Sequence, residues 1–323
     1  MGGPVLATVD VLAARPLTAV AEAHHANTVM DLSVAGDRAA TIDFDGNWAV
    51  WQGSDLRRLT GGALPGRVGR RLALSRDGAQ LAVLTASEGV DYKWTAAIVD
   101  IATGNVVPIG GHDYRRLAWT DAGLFAMGYL GSHLYDSTGR LLHDGFHPPV
   151  PGCAWMCSTA ARDASRIYFM AYDQIGGIAV PDGRPLPVPD ITPHARPAGN
   201  GAWASPDLAL SDDGAVLALG FLDEVLVWRM SDGELLARIV PTGVQIVNAR
   251  VRVVGPQLVA CFSHVKGDFG QRKTAVVFDL DRGRVTDAVT TTSEPYGGKG
   301  GADGMLLVAH GSTLCRAARV STR

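Results

Sequence analysis

Lysine, glutamate, cysteine and long apolar runs are all scarce in this chain. No stretch of 18 consecutive apolar residues occurs, so no membrane span is expected. The N-terminal MGGPVLATVDVLAARPLTAV lacks a basic region followed by a continuous apolar run, and it reads as strand rather than signal peptide. Four cysteines in 323 residues (Cys153, Cys157, Cys261 and Cys315) do not make a disulfide framework, so the expected compartment is the cytoplasm, with thiols reduced. Nucleophile motifs are missing: there is no Gly-x-Ser-x-Gly elbow and no Gly-x-x-x-x-Gly-Lys phosphate loop. The run Gly297-Gly298-Lys299-Gly300-Gly301 leads into a short strand, so it lacks the helix N-terminus that makes such loops bind anions. A net charge of −3 gives no reason to expect nucleic acid or an anionic membrane as partner. Lysine supplies only four of the 29 basic residues, the rest being arginine, which with abundant Ala, Gly and Val suggests a bacterial genome of high GC content.

What is present is a soluble globular composition, 47 % hydrophobic and 19 % charged, with 39 glycines and 17 prolines suited to short strands and tight turns. One line is written twice: LALSRDGAQLAVL from residue 72 and LALSDDGAVLAL from residue 208. The two copies start 136 residues apart, or three units of about 45. A strand, an Asp-Gly turn and a second strand at that period are the mark of a β-propeller. Turn anchors recur at Gly36, Gly78, Gly123, Ser165, Gly214, Gly255 and Gly304, which predicts seven blades. Six further hairpins, such as AIVDIATGNVVPI and VLVWRMSDGELLARI, join third and fourth strands. The last unit lacks one, while an alternating apolar segment precedes the first anchor. The expected fold is therefore a single all-β domain over residues 1–323: seven four-stranded antiparallel blades, closed by N- and C-terminal strands sharing the last blade. Residues 4–22 are expected to complete that blade, the alternative being a loose N-terminal arm.

The first blade runs from His25 through MDLSVAGDRAATIDFDGNWAVWQ. It resembles the WD-repeat propeller family, in which a His before the first strand, a hydroxyl on the second, an Asp opening the next turn and a Trp ending the third strand form a hydrogen-bonded chain. The resemblance puts His25, Thr41, Asp45 and Trp51 in those roles. It carries the His position to His112 in blade three, and the Asp and Trp positions to Asp223 and Trp228 in blade five. Phe278 and Tyr135 stand where the Trp would be in blades six and three. The resemblance implies an interaction platform, since propellers of this family rarely catalyse; no cofactor is expected.

Two local clusters invite a chemical reading. HDGFHPPVPGCAWMC brings His143, His147, Cys153 and Cys157 close in sequence, an acceptable soft tetrahedral set. Its spacing is not that of a zinc knuckle, and buried apolar cysteines explain it equally well, so no metal is assigned. The loops leading into first strands, and those between second and third strands, share one propeller face. These carry Trp94, Tyr114, Phe146, Trp203, Phe269 and Tyr296, with Arg115, Arg196 and Lys266 alongside. Aromatics beside arginine are typical interface anchors, although propeller turns also use aromatics to fill gaps between blades. The function expected from the sequence is a non-catalytic scaffold that binds a protein or peptide there, alone or as a subunit of a larger complex. The alternative is a metal-dependent propeller hydrolase or lyase at the channel mouth.

Overall fold

The computed structural model describes residues 4–16, 18–64, 67–87, 94–110, 114–128, 131–146, 157–171, 174–180, 182–191, 206–221, 224–254, 257–265, 271–291, 295–300 and 305–317. The fold is an all-β, seven-bladed propeller. The chain opens with β1 (Val5–Asp10), β2 (Arg15–Pro16) and β3 (Ala19–His24). Blade one is β4 (Val29–Ala35), β5 (Arg38–Asp43), β6 (Asn47–Gln52) and β7 (Arg58–Ala63). Blade two is β8 (Arg67–Leu74), β9 (Gln80–Ser87), β10 (Trp94–Asp100) and β11 (Val106–Ile109). Blade three is β12 (Tyr114–Thr120), β13 (Gly123–Gly128), β14 (Gly131–Tyr135) and β15 (Leu141–Phe146). Blade four has β16 (Cys157–Ala160), β17 (Arg166–Ala171) and β18 (Gln174–Ala179). Blade five is β19 (Asp207–Leu210), β20 (Val216–Phe221), β21 (Glu224–Arg229) and β22 (Leu235–Thr242). Blade six is β23 (Gln245–Val254), β24 (Gln257–Val265), β25 (Gln271–Asp279) and β26 (Arg284–Thr291). Blade seven is β27 (Pro295–Gly300), β28 (Met305–His310) and β29 (Thr313–Ala317), completed by β3. Contacts divide the chain into two compact units: Leu17–His147 with Glu294–Ser321, and Met1–Pro16 with Pro148–Ser293.

The twice-written line makes the same turn in blades two and five. The Ser75 hydroxyl donates to Asp77 Oδ1 at 2.7 Å while accepting the Gln80 amide at 2.8 Å, and Asp77 also accepts the Ala79 amide at 3.0 Å. Ser211, Asp213, Ala215 and Val216 repeat this set at 2.6–3.0 Å. The Ser75 hydroxyl and the Ala79 amide hold the Asp77 carboxyl below the usual carboxylate range. Each turn closes on a left-handed residue, Gly78 at φ +67 and Gly214 at φ +68. Blade four closes the same turn on Ala164 at φ 58, which a Cβ-bearing residue adopts at a cost of about 1–2 kcal/mol.

The N-terminal segment departs from expectation. Only β3 completes the seventh blade, antiparallel to β29 with Leu314 opposite Ala23. The rest forms a strap on the other unit: β1 adds a parallel fifth strand to β22, and β2 adds one to β26. The strap is anchored by Val9 and Val11, buried with blades five and six, and by Arg15, whose Nε and Nη2 donate to the two Asp287 oxygens at 3.2 and 2.9 Å. Blade four also departs from the four-stranded expectation, because its outer position keeps only the bridge between Ile178 and Pro185. The Leu186 amide donates to the Gly177 carbonyl at 2.9 Å, so the amide donors that Pro185, Pro187 and Pro189 lack are those of the outward edge, which is left poor in donors.

Within each unit, consecutive first strands are stitched together. Asp31 on β4 accepts the Leu72 amide of β8 at 3.0 Å, and Ser33 accepts the Leu74 amide at 3.0 Å. In the other unit Asp207 on β19 accepts the Val251 amide of β23 and an Arg252 N–H, both at 3.0 Å. Both carboxylates are buried and engaged, so these Asp residues are structural ties. Apolar faces of neighbouring blades fill the space between, as where Leu72, Leu74 and Leu81 of blade two meet Ala40, Ile42 and Trp48 of blade one.

Candidate functional site

The polar chain of blade one is built from three expected residues and one unexpected one. Trp51 Nε1 donates to Thr41 Oγ1 at 2.7 Å, and Thr41 Oγ1 lies 2.5 Å from His25 Nε2. The indole and imidazole meet edge to face at 5.7 Å between centroids. The carboxylate in the chain is Asp43, whose Oδ2 lies 3.4 Å from His25 Nδ1, and not Asp45. Asp43 ends β5 pointing inward, fully buried, where it accepts the Asn47 amide at 2.9 Å and the Asn47 side-chain N–H groups. Asp45, two residues on, stands exposed at the turn tip and accepts the Asn27 side-chain N–H at 3.1 Å. The geometry fits a neutral imidazole that accepts the Thr41 hydroxyl proton at Nε2 and donates from Nδ1 to Asp43. Burial holds the His25 pKa below its ordinary value, with Asp43 pulling the other way.

The matching aromatic positions are real equivalents. Trp51, Trp228, Phe278 and Tyr135 each stand at the register shift where third and fourth strands pair. Around Trp228, however, Leu219 occupies the place of Thr41, so the indole packs against Leu217, Leu219 and Leu226. Cys157 is buried in the same apolar cluster beside Ala161, Tyr168 and Met170. His143 is half-buried on β15. His112, His147, Cys153 and Asp223 lie outside the described residues, and among the described residues no group of three or more His, Cys, Asp or Glu could hold a metal ion.

The six expected contact residues divide sharply. Trp203 and Phe269 lie outside the described residues, and for Phe146 and Tyr296 only the strand backbone is described, in β15 and β27. Tyr114 is a correction: it is fully buried, its hydroxyl 2.5 Å from that of Tyr135 and its ring edge-on to His133, so it is a core residue and not part of the exposed loop face. Burial and the Tyr135 hydrogen bond push its pKa well above the ordinary phenol value.

Trp94 is half-buried and sits between two arginines. Arg115 Cζ lies 4.2 Å from the centroid of its ring, and Arg70 Cζ lies 5.8 Å away. Arg70 is also 6.0 Å from the ring of Phe44, which is 43 % exposed. The order is Phe44, Arg70, Trp94, Arg115, alternating ring and cation. Local structure explains it. In β8 the register shifts between Gly69 and Arg71, and in β12 between Tyr114 and Arg116, so Arg70 and Arg115 are the extra residues of equivalent β-bulges, which re-aim a side chain. The same bulge carries Met30 in blade one and Val247 in blade six. Gly69 brings β8 against the turn that holds Phe44: its amide donates to the Phe44 carbonyl at 3.1 Å, and a Cβ there would collide with the Asp43 carbonyl. Phe44 and Arg70 escaped the sequence reading. The signal for Arg70 was available, because Arg70-Arg71-Leu72-Ala73 is repeated as Arg115-Arg116-Leu117-Ala118, one blade later. The described residues include no helix long and apolar enough to cross a membrane. No protein-family model matches the chain, and no curated protein is significantly similar to it.

Proposed function

We propose that the chain is a divergent, bacterial WD-repeat-like propeller that works as a non-catalytic platform, docking a protein or peptide partner on the loop face of blades two and three. The WD-like reading is supported by the His25–Thr41–Trp51 chain of blade one. The platform reading is carried by the stack of Phe44, Arg70, Trp94 and Arg115. Rigid aromatics with stacked arginines lose little side-chain freedom on binding, which is why such residues dominate interface energetics. A cytoplasmic location is supported by thiols that carry no disulfide, Cys157, Cys261 and Cys315, all buried. Burial and the neighbouring Glu22 push the Cys315 thiol up to about 12, which makes it inert.

The test is affinity capture from a lysate of the native organism with the wild-type chain and with Phe44→Ala/Trp94→Ala. The expected result is a dominant protein that is captured by the wild type and reduced at least tenfold with the variant, about 1.4 kcal/mol or more. Equal capture by both would contradict the reading.

A further inference from the structure

The outer position of blade four holds Arg184-Pro185-Leu186-Pro187-Val188-Pro189-Asp190. Each residue from Arg184 to Pro189 is either a proline, with φ fixed at about −65°, or the residue before one, which is pushed to extended or polyproline II backbone. The segment therefore has its shape set by its own sequence. From Pro185 to Asp190 its burial repeats every three residues: Leu186 and Pro189 lie inward, while Pro185, Pro187, Val188 and Asp190 are exposed. Three residues per turn is the period of a polyproline II helix, whereas a strand alternates every two. The segment is also held from behind. The Ala179 amide donates to the Arg184 carbonyl at 2.8 Å and the Leu186 amide to the Gly177 carbonyl at 2.9 Å, and Leu186 and Ile191 join the apolar cluster of Tyr168 and Met170.

Strand pairing cannot extend this edge, because Pro185, Pro187 and Pro189 have no N–H to give a partner strand. An aromatic-lined groove has no such need: it packs the rings of a polyproline II ligand, and indole and phenol groups donate to backbone carbonyls. The rings of Pro185 and Pro187 are exposed for such packing, as is the Val188 side chain at 37 %. A segment already in its bound shape loses little freedom on binding. We propose that residues 184–190 are a polyproline II ligand displayed on blade four and recognised by the aromatic-lined groove of a second partner, a different protein from the one docked on blades two and three.

The probes are two purified domains that bind polyproline II peptides through aromatic-lined grooves, a WW domain and a Src-homology-3 domain, each titrated with the full chain by calorimetry. At least one is expected to bind the wild type. Pro185→Ala/Pro187→Ala should weaken that binding at least about tenfold, and Val188→Glu, which leaves every proline in place, should weaken it as well. Phe44→Ala/Trp94→Ala should bind the domain as the wild type does, which separates this site from the one on blades two and three. Thermal unfolding checks the fold of each variant, and if Pro185→Ala/Pro187→Ala melts early the Val188→Glu titration carries the test. Failure of both domains to bind the wild type, or undiminished binding in the folded variants, would each overturn the proposal. Undiminished binding accompanied by self-association of Pro185→Ala/Pro187→Ala in light scattering would leave the prolines as edge protection alone.

Discussion

Blade one is held from within, and blades five and six are held from outside. Blade one threads a polar chain through its own sheet, His25 to Thr41 to Trp51 with Asp43 behind the imidazole. Its outer strand β7 ends in Gly61-Gly62-Ala63 and, among the described residues, takes no fifth strand. Blade five has leucine where that hydroxyl would be, and it gains β1 on its outer edge; blade six gains β2. The strapped edges belong to strands of eight residues, β22 and β26, each with a single register shift against its inner neighbour. A long edge left open would template pairing with another chain, so covering it matters most there. The open edges of blades two and three are blunted in other ways: β11 has four residues including Pro108, and β15 shifts register twice. The same structural demand, to finish a blade and protect its edge, is met by whichever residues are at hand. The arginine stack on blades two and three, the surface proposed for docking, belongs to neither device.

The strongest way to break the comparison is to remove the strap. Deleting residues 4–16 uncovers the edges of β22 and β26 and empties the sites of Val9 and Val11, which are 6 % and 1 % exposed. Two buried valines are worth roughly 3–6 kcal/mol together. Denaturant unfolding should show a loss of that order, and light scattering should show self-association. An unchanged midpoint with a monodisperse solution would mean that blades five and six do not depend on the strap.

A smaller effect separates the two aspartates of blade one. Asp43→Ala should cost about 2–3 kcal/mol, because it orphans the part-buried Asn47 amide and leaves the His25 ring nitrogen without its carboxylate. Asp45→Ala, at the exposed turn tip, should cost less than about 0.5 kcal/mol. Equal costs in thermal unfolding would put the carboxylate of the chain back in doubt.

The smallest effect is a proton. Burial lowers the His25 pKa in the folded chain below the 6.5 of the unfolded one. The unfolded state therefore binds more protons in the window below 6.5, and the stability present above that value is lost as pH falls through the lowered one. Melting temperature should decline as pH falls below 6.5, and His25→Gln should flatten that part of the profile. An identical slope in the variant would contradict a neutral His25 at the centre of blade one.

Much of the fold was legible because its punctuation is local. Asp-Gly turns need the left-handed residue found at Gly78 and Gly214, and such turns at a period of about 45 residues count blades without tertiary information. The strap was not legible. Alternation in VLATVD says strand, but parallel pairing with β22 is decided by which long edge stands open in the folded molecule. Asp45 was preferred over Asp43 because the two lie in one short turn and only burial tells them apart. Tyr114 looked like a surface aromatic beside Arg115, yet the bulge between them sends Tyr114 into the core and Arg115 onto Trp94.

The central claim is that the loop face of blades two and three, not the strapped edge, receives the partner. The most direct measurement is calorimetric titration of the captured partner into the wild type, into Phe44→Ala/Trp94→Ala, and into Leu6→Ala, which alters an apolar side chain 65 % exposed on the strap. The account predicts wild-type affinity for Leu6→Ala and a loss of at least about tenfold for Phe44→Ala/Trp94→Ala. Undiminished affinity in Phe44→Ala/Trp94→Ala, or a loss confined to Leu6→Ala, would contradict it.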